Sequence, residues 1–140
     1  MAYTENLEQR TYEAGSTLVQ VVGVPGMPGS VEPNIGTQYL FAIMDKTDKD
    51  VAQVATGGAT EIVIGVTTTK SQHLKTPVAV AYDGRVPVQA GVALAYGDYV
   101  KPGAGGKAVV AADAATSFGI CVEPASAAGV LATVELVLGR

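Results

Sequence analysis

Between Val88 and Val110 the sequence reads VQAGVALAYGDYVKPGAGGKAVV, with five glycines and one proline set among short apolar runs. Glycine in a helix interior costs about 1 kcal/mol relative to alanine, and proline about 3 kcal/mol. A helix therefore cannot persist through this stretch, whereas short strands joined by sharp reversals can. The segment has no histidine, serine or cysteine, and only Asp98, Lys101 and Lys107 carry charge. Its residues suit packing and turning better than chemistry.

The same punctuation governs most of the chain. Apolar runs at Tyr39–Met44, Glu61–Val66, Pro77–Tyr82, Arg85–Val88, Tyr99–Lys101, Ala108–Val110, Phe118–Val122 and Val130–Leu138 read as strands. The charged cluster DKTDKD after Met44 reads as a loop tip. Asp83-Gly84 between two β-forming runs is the signal for a tight hairpin, because that turn needs positive φ. Further reversals are expected at Gly91, at Gly97-Asp98 and across Gly103, Gly105 and Gly106. In the last run only Thr133 and Glu135 are polar, so this strand is expected to be covered on most of both faces. The helical candidate AADAAT, Ala111 to Thr116, is too short to nucleate alone. Short strands at roughly ten-residue spacing predict an all-β fold, a small barrel or sandwich-like domain with at most one short helix.

The N-terminal quarter differs. Residues up to Ala14 are polar with no apolar period, and Leu18 to Val22 reads as a short strand after Gly15-Ser16. VPGMPGSVEPNIG, Val24 to Gly36, is dense in proline and glycine, which predicts an extended, partly polyproline-like course. These features divide the chain into an extended arm, 1–36, and a compact β domain, 37–140. Tyr3 and Tyr12 are aromatics without a local core, a pattern suited to anchoring on a partner. With Leu7, Val24, Pro25, Met27 and Pro28 they form the candidate partner-binding set of the arm.

Composition narrows the function. A length of 140 residues fits one domain with an appendage. Charged residues at 16% are sparse for a soluble domain, so partners are expected to cover part of the surface. The net charge of −4 with nine scattered basic residues argues against nucleic acid. No run reaches transmembrane length, and the polar, acidic start is unlike a signal peptide. One cysteine excludes an internal disulfide framework and fits synthesis in a reducing cytoplasm.

Candidate chemical motifs fail on spacing. In KPGAGGKA, Lys101 stands where a phosphate loop needs its first glycine, and Ala108 replaces the magnesium-holding hydroxyl. Gly103, Gly105 and Ala108 fit a loose dinucleotide spacing, but a strand follows where a helix is required. Cys121 in an apolar strand reads as a buried thiol, and His73 as a loop or surface residue. One cysteine and one histidine are too few for structural zinc. Asp45, Asp48 and Asp50 lack the calcium-loop order and are interleaved with Lys46 and Lys49. Asp45-Lys46 resembles the lipoyl-domain hairpin, without its acidic context or strand spacing. No catalytic residue, cofactor, metal or small-molecule substrate is assigned.

From Val86 to Val137 the chain resembles the decoration, or cement, proteins of tailed-phage heads. The likeness lies in Ala90-Gly91, the short strand around Ala93, Gly97-Asp98-Tyr99-Val100, the glycine-rich hairpin, the Phe118–Val122 run, and Ala128-Gly129 before a final strand and Gly139-Arg140. It implies a non-catalytic structural protein on the outer surface of the virion head, made in the host bacterial cytoplasm. It further implies a homotrimer that binds the major capsid protein and braces neighbouring capsomers. The alternative from a different class is a carbohydrate- or peptide-binding β module of a tail or fibre.

Overall fold

A computed structural model describes residues 5–19, 37–69 and 74–138. Among them are nine strands: β1 (Glu5–Ala14), β2 (Phe41–Met44), β3 (Val51–Val54), β4 (Val63–Thr67), β5 (Pro77–Gln89), β6 (Tyr99–Pro102), β7 (Ala108–Val110), β8 (Gly119–Glu123) and β9 (Leu131–Val137). The described residues contain no α-helix, only 3-10 turns at Ala104–Gly106 and Ala114–Thr116. The all-β barrel expected from the sequence is the fold found.

The strands follow the order β1-β3-β2-β4-β5-β9-β8-β6-β7, and β1 also pairs with β5. That extra pairing closes β1, β3, β2, β4 and β5 into a five-stranded barrel. β5 organises the rest. Val80 and Ala81 have β1 on one side and β4 on the other, while Asp83 and Arg85 have β1 on one side and β9 on the other. The first half of β5 is thus a barrel stave and the second half begins another sheet, β5-β9-β8-β6-β7. A parallel bridge, Ala90 to Ala108, returns β7 to the end of β5, with Gly91 N–H donating to Ala108 O at 2.7 Å. The second sheet therefore also curls back on itself.

Two cores follow from this sharing. Ala14, Leu18, Ala42, Ala52, Ile64, Val78 and Val80 form one cluster from the barrel strands. Phe41, Ile43, Val66, Ala81, Val86, Val88, Val100, Cys121, Val134 and Leu136 belong to a larger one between the barrel and the second sheet. β2 shows why its sequence is continuously apolar: Phe41 and Ile43 serve the larger core, Ala42 the smaller. β4 reaches both by a bulge. Phe41 pairs with Val66, Ala42 with Gly65 and Ile43 with Val63, so Ile64 is the extra residue and turns into the barrel core. A Cβ on Gly65 would lie 1.9 Å from Ala81 O, so only glycine fits that bulge.

Three expectations are corrected. The hairpin at Asp83-Gly84 does not form; β5 runs straight through it, pairing Asp83 with Val137 and Gly84 with Leu136. Gly84 still has φ of +95°, so the local preference survives inside a strand whose neighbours continue on both sides. Leu18 itself lies in the turn Ser16 to Leu18 and is buried in the barrel core, Val19 forms a β-bridge, and Gln20 to Val22 of the expected strand lie outside the described residues. Residues 5–14, expected within a polar arm, supply a barrel strand. β3, which follows directly on the charged loop, was not legible as a strand, since four residues carry little pattern. The remaining strands lie where the sequence places them, and β9 buries Ala132, Thr133, Val134 and Leu136, as its two-faced pattern suggests.

Candidate functional site

Of the residues proposed for partner binding, Tyr3, Val24, Pro25, Met27 and Pro28 lie outside the described residues, as does His73. Leu7 lies in β1. Tyr12, also in β1, is half-buried against the barrel core, so its ring is engaged inside the molecule. The points where the chain leaves and re-enters the described structure are close together. Thr37 Oγ1 donates to Leu18 O at 3.1 Å. The described residues on either side of 20–36 therefore lie side by side.

The residues flanking that exit are tightly tied. Thr17 N–H and Oγ1 donate to Gln53 Oε1 at 3.0 and 2.6 Å, and Val54 N–H donates to Thr17 Oγ1 at 2.8 Å. On the return side Gln38 Nε2 donates to Thr68 O, and Gln89 Nε2 donates to Gln38 O. Buried Thr67 donates through Oγ1 to Thr37 O at 2.7 Å and receives Leu40 N–H. Tyr39 is held here at φ +63°, in the left-handed region. Such a conformation persists only where surrounding contacts over-determine it.

The glycine-rich stretch has a structural task. Gly103 to Lys107 connects β6 to β7 as a hairpin loop, and its 3-10 turn docks on the barrel. A Cβ on Gly106 would lie 2.8 Å from Phe41 O and 2.9 Å from a Val54 methyl. Gly57 approaches from the barrel side, where a Cβ would lie 3.0 Å from Pro102 O. The loop thus seats one sheet on the other and opens no helix, which excludes a helix-borne phosphate site at this loop.

Gly97-Asp98 forms the predicted turn, and it is clamped. Ala95 N–H donates to Asp98 Oδ2, Asp98 N–H to Ala95 O, Gly97 N–H to Cys121 O and Cys121 N–H to Asp98 O. Tyr96 projects from this turn, 77% exposed, with the partly exposed Tyr99 beside it in sequence.

An open groove of about 670 Å³ is lined by Ile43, Met44, Ile62 and the charged loop from Asp45 to Lys49. Asp45 accepts from Thr47 N–H and Oγ1 and from Gln53 Nε2. These bonds, that from Gln53 foremost, lower its pKa to about 2. Burial would raise the pKa of Glu61, but hydrogen bonds from Thr56, Gly57 and Gly58 outweigh it and the net shift is downward. Both carboxylates tie down their own loops. Among the described residues, no group of three His, Cys, Asp or Glu side chains is placed to hold a metal ion. The Cys121 thiol is buried, and that burial pushes its pKa up, which opposes nucleophile activation.

No family model matches this chain, and no curated protein matches it. Among solved structures it is similar to the crystal structure of the head fiber gp8.5 N base in bacteriophage phi29, with a TM-score of 0.57. The match covers 94% of each chain at 22% identity. This chain has the fold of that fibre base. The likeness extends well beyond the Val86–Val137 stretch that suggested a phage-head protein from sequence, and takes in the N-terminal barrel as well.

Proposed function

We propose that this chain is a structural protein of a tailed-phage virion that sits on the outer surface of the head. The observation that carries this reading is the fold shared with a head-fibre base over 94% of both chains. The partner is the major capsid protein, and the contact braces neighbouring capsomers. Three copies acting together would each need only a modest contact, because engagement of one site raises the effective concentration at the others. Binding to the expanded shell alone would stabilise it by mass action.

The segment 20–36, with Val24, Pro25, Met27 and Pro28, is the proposed anchor. Removing the whole of residues 1–36 is a poor test, because it deletes β1 and Leu18 from the barrel. Excising residues 20–36 and joining Val19 to Thr37 with a short glycine-serine linker spares the barrel. The excised protein should fold normally yet fail to co-sediment with expanded shells. Equal decoration by the excised and full chains would rule out the segment as anchor. Electron microscopy of purified particles, looking for ordered outer protrusions that carry this polypeptide, tests the reading itself.

A second reading, a carbohydrate- or peptide-binding module, is favoured by Tyr96, 77% exposed at the clamped Gly97-Asp98 turn, since exposed aromatics serve as stacking and contact platforms. A glycan array against a shell pull-down separates the two.

A further inference from the structure

Among the described residues, β1 is a sheet edge along most of its length. On one side it pairs with β5 from Glu5 to Glu13, and on the other, among described strands, with β3 only at Glu13 and Ala14. Ala14 faces the β5 side: its N–H donates to Thr76 O and its carbonyl accepts from Lys75 N–H. Glu13 N–H points the opposite way, to Asp50 O. Direction alternates along a regular strand, and β1 is regular from Gln9 to Glu13. The N–H and C=O groups of Gln9 and Thr11 therefore point outward, away from β5. Glu8, Gln9, Arg10 and Thr11 are all exposed, although Arg10 lies over the Tyr82 ring at 5.1 Å and Gln9 accepts from Thr68 Oγ1.

An exposed edge is a template for strand addition unless its charges forbid it. Here the charges select one partner. Antiparallel pairing of this edge with its own copy has five registers between Glu8 and Tyr12 that place outward groups opposite one another. With the axis at Glu8 two carboxylates oppose, and with the axis at Tyr12 the ladder draws in Glu13, which β3 already occupies. With the two-fold axis at Arg10, two guanidinium groups oppose. With the axis at Thr11, Arg10 meets Tyr12, and Glu13, whose edge β3 already occupies, is drawn into the ladder. With the axis at Gln9, Glu8 of each copy lies opposite Arg10 of the other, twice by symmetry. Directly opposed unlike charges favour a pair and like charges oppose it.

We infer that β1 is a self-complementary edge, and that two copies of this chain join antiparallel about a two-fold axis at Gln9. The contact is isologous, as two-fold interfaces are. It is short, because β3 takes over at Glu13, so it forms in a concentration-dependent way. The inference goes beyond the head-surface reading and needs only the protein itself. On a shell it would link copies across local two-folds and is compatible with trimers on three-fold positions.

Sedimentation velocity of the full chain at low ionic strength, from micromolar to near-millimolar concentration, tests this. Wild type should shift reversibly from smaller to larger species, and salt should weaken the shift. Glu8→Arg and Arg10→Glu should each abolish it, the first chain presenting two cations and the second two anions. Mixing the two should restore association, because each supplies what the other lacks, and the double exchange in one chain should restore it too. A wild type whose size is independent of concentration, or an Arg10→Glu chain that associates as well as wild type, overturns the inference. Should a variant fail to fold, hydrogen exchange on wild type decides: Gln9 and Thr11 amides must gain protection on concentration, and unchanged protection counts against the pairing.

Discussion

Gly105 and Gly106 are neighbours in the β6–β7 turn with nearly the same backbone angle, φ +69° and +74°. A Cβ on Gly105 meets nothing within 4 Å, whereas one on Gly106 meets Phe41 O at 2.8 Å. Gly105→Ala should cost only the left-handed conformational penalty, about 1 kcal/mol. Gly106→Ala adds a clash with backbone that cannot rotate away, raising the loss to roughly 2–4 kcal/mol. Urea denaturation of the two variants checks the difference, and equal losses would mean the loop is not seated on the barrel. Sequence alone marked both as turn glycines, because spacing shows where the chain reverses and not what lies beneath it. Asp45 supplies a second residue-scale test. Its folded pKa of about 2 lies below the ordinary 3.8, so its hydrogen bonds contribute stability above the ordinary value. That contribution is lost as pH falls through the folded pKa, between about 4 and about 2. Asp45→Asn should flatten this part of the stability–pH curve, read by thermal melts across that range.

β1 shows how an element can be misread for a sound reason. ENLEQRTYEA has no alternation because Glu8 to Thr11 are exposed on both faces, so no core imposes a period. Among its described side chains, Tyr12 and Ala14 are the ones that touch the barrel core. Yet it closes the barrel through β5. Truncation after Ala14 should therefore expose the β5 edge and the Ala42, Val78 and Val80 cluster, with sharply increased protease sensitivity and loss of a cooperative melt. A truncated chain as resistant as the full one would show that the barrel closes without β1. The excision of residues 20–36 should leave the melt nearly unchanged, because Leu18 and Thr37 already lie side by side. The element-level misreading at Asp83-Gly84 has the opposite origin: a strong local turn signal is overridden by three strands that pair along β5.

At the scale of the molecule, the shared 13-residue strand β5 joins barrel and second sheet. The larger core draws from both, including Phe41 and Val66 on one side and Val100 and Val134 on the other. The two should unfold as one unit. Cys121, the lone thiol, is fully buried in the second sheet and reports on this directly. Val78→Ala, in the barrel core far along the chain, should cost on the order of 1–3 kcal/mol. Thiol labelling of Cys121 should accelerate by the matching factor, about tenfold per 1.4 kcal/mol, if labelling needs global opening. Unchanged labelling in a destabilised variant would mean the halves open independently.

Strand content, the glycine-rich reversals, the buried thiol and the two-faced last strand were written in the amino-acid order itself, because propensity, turn chemistry and periodicity act over a few residues. Which strand closes the barrel, why β5 ignores its own turn signal, where Ile64 points, and that Leu18 and Thr37 lie side by side were decided only in three dimensions. Those features depend on hydrogen bonds and packing between residues far apart in the chain, and no local pattern encodes a partner that is distant in sequence.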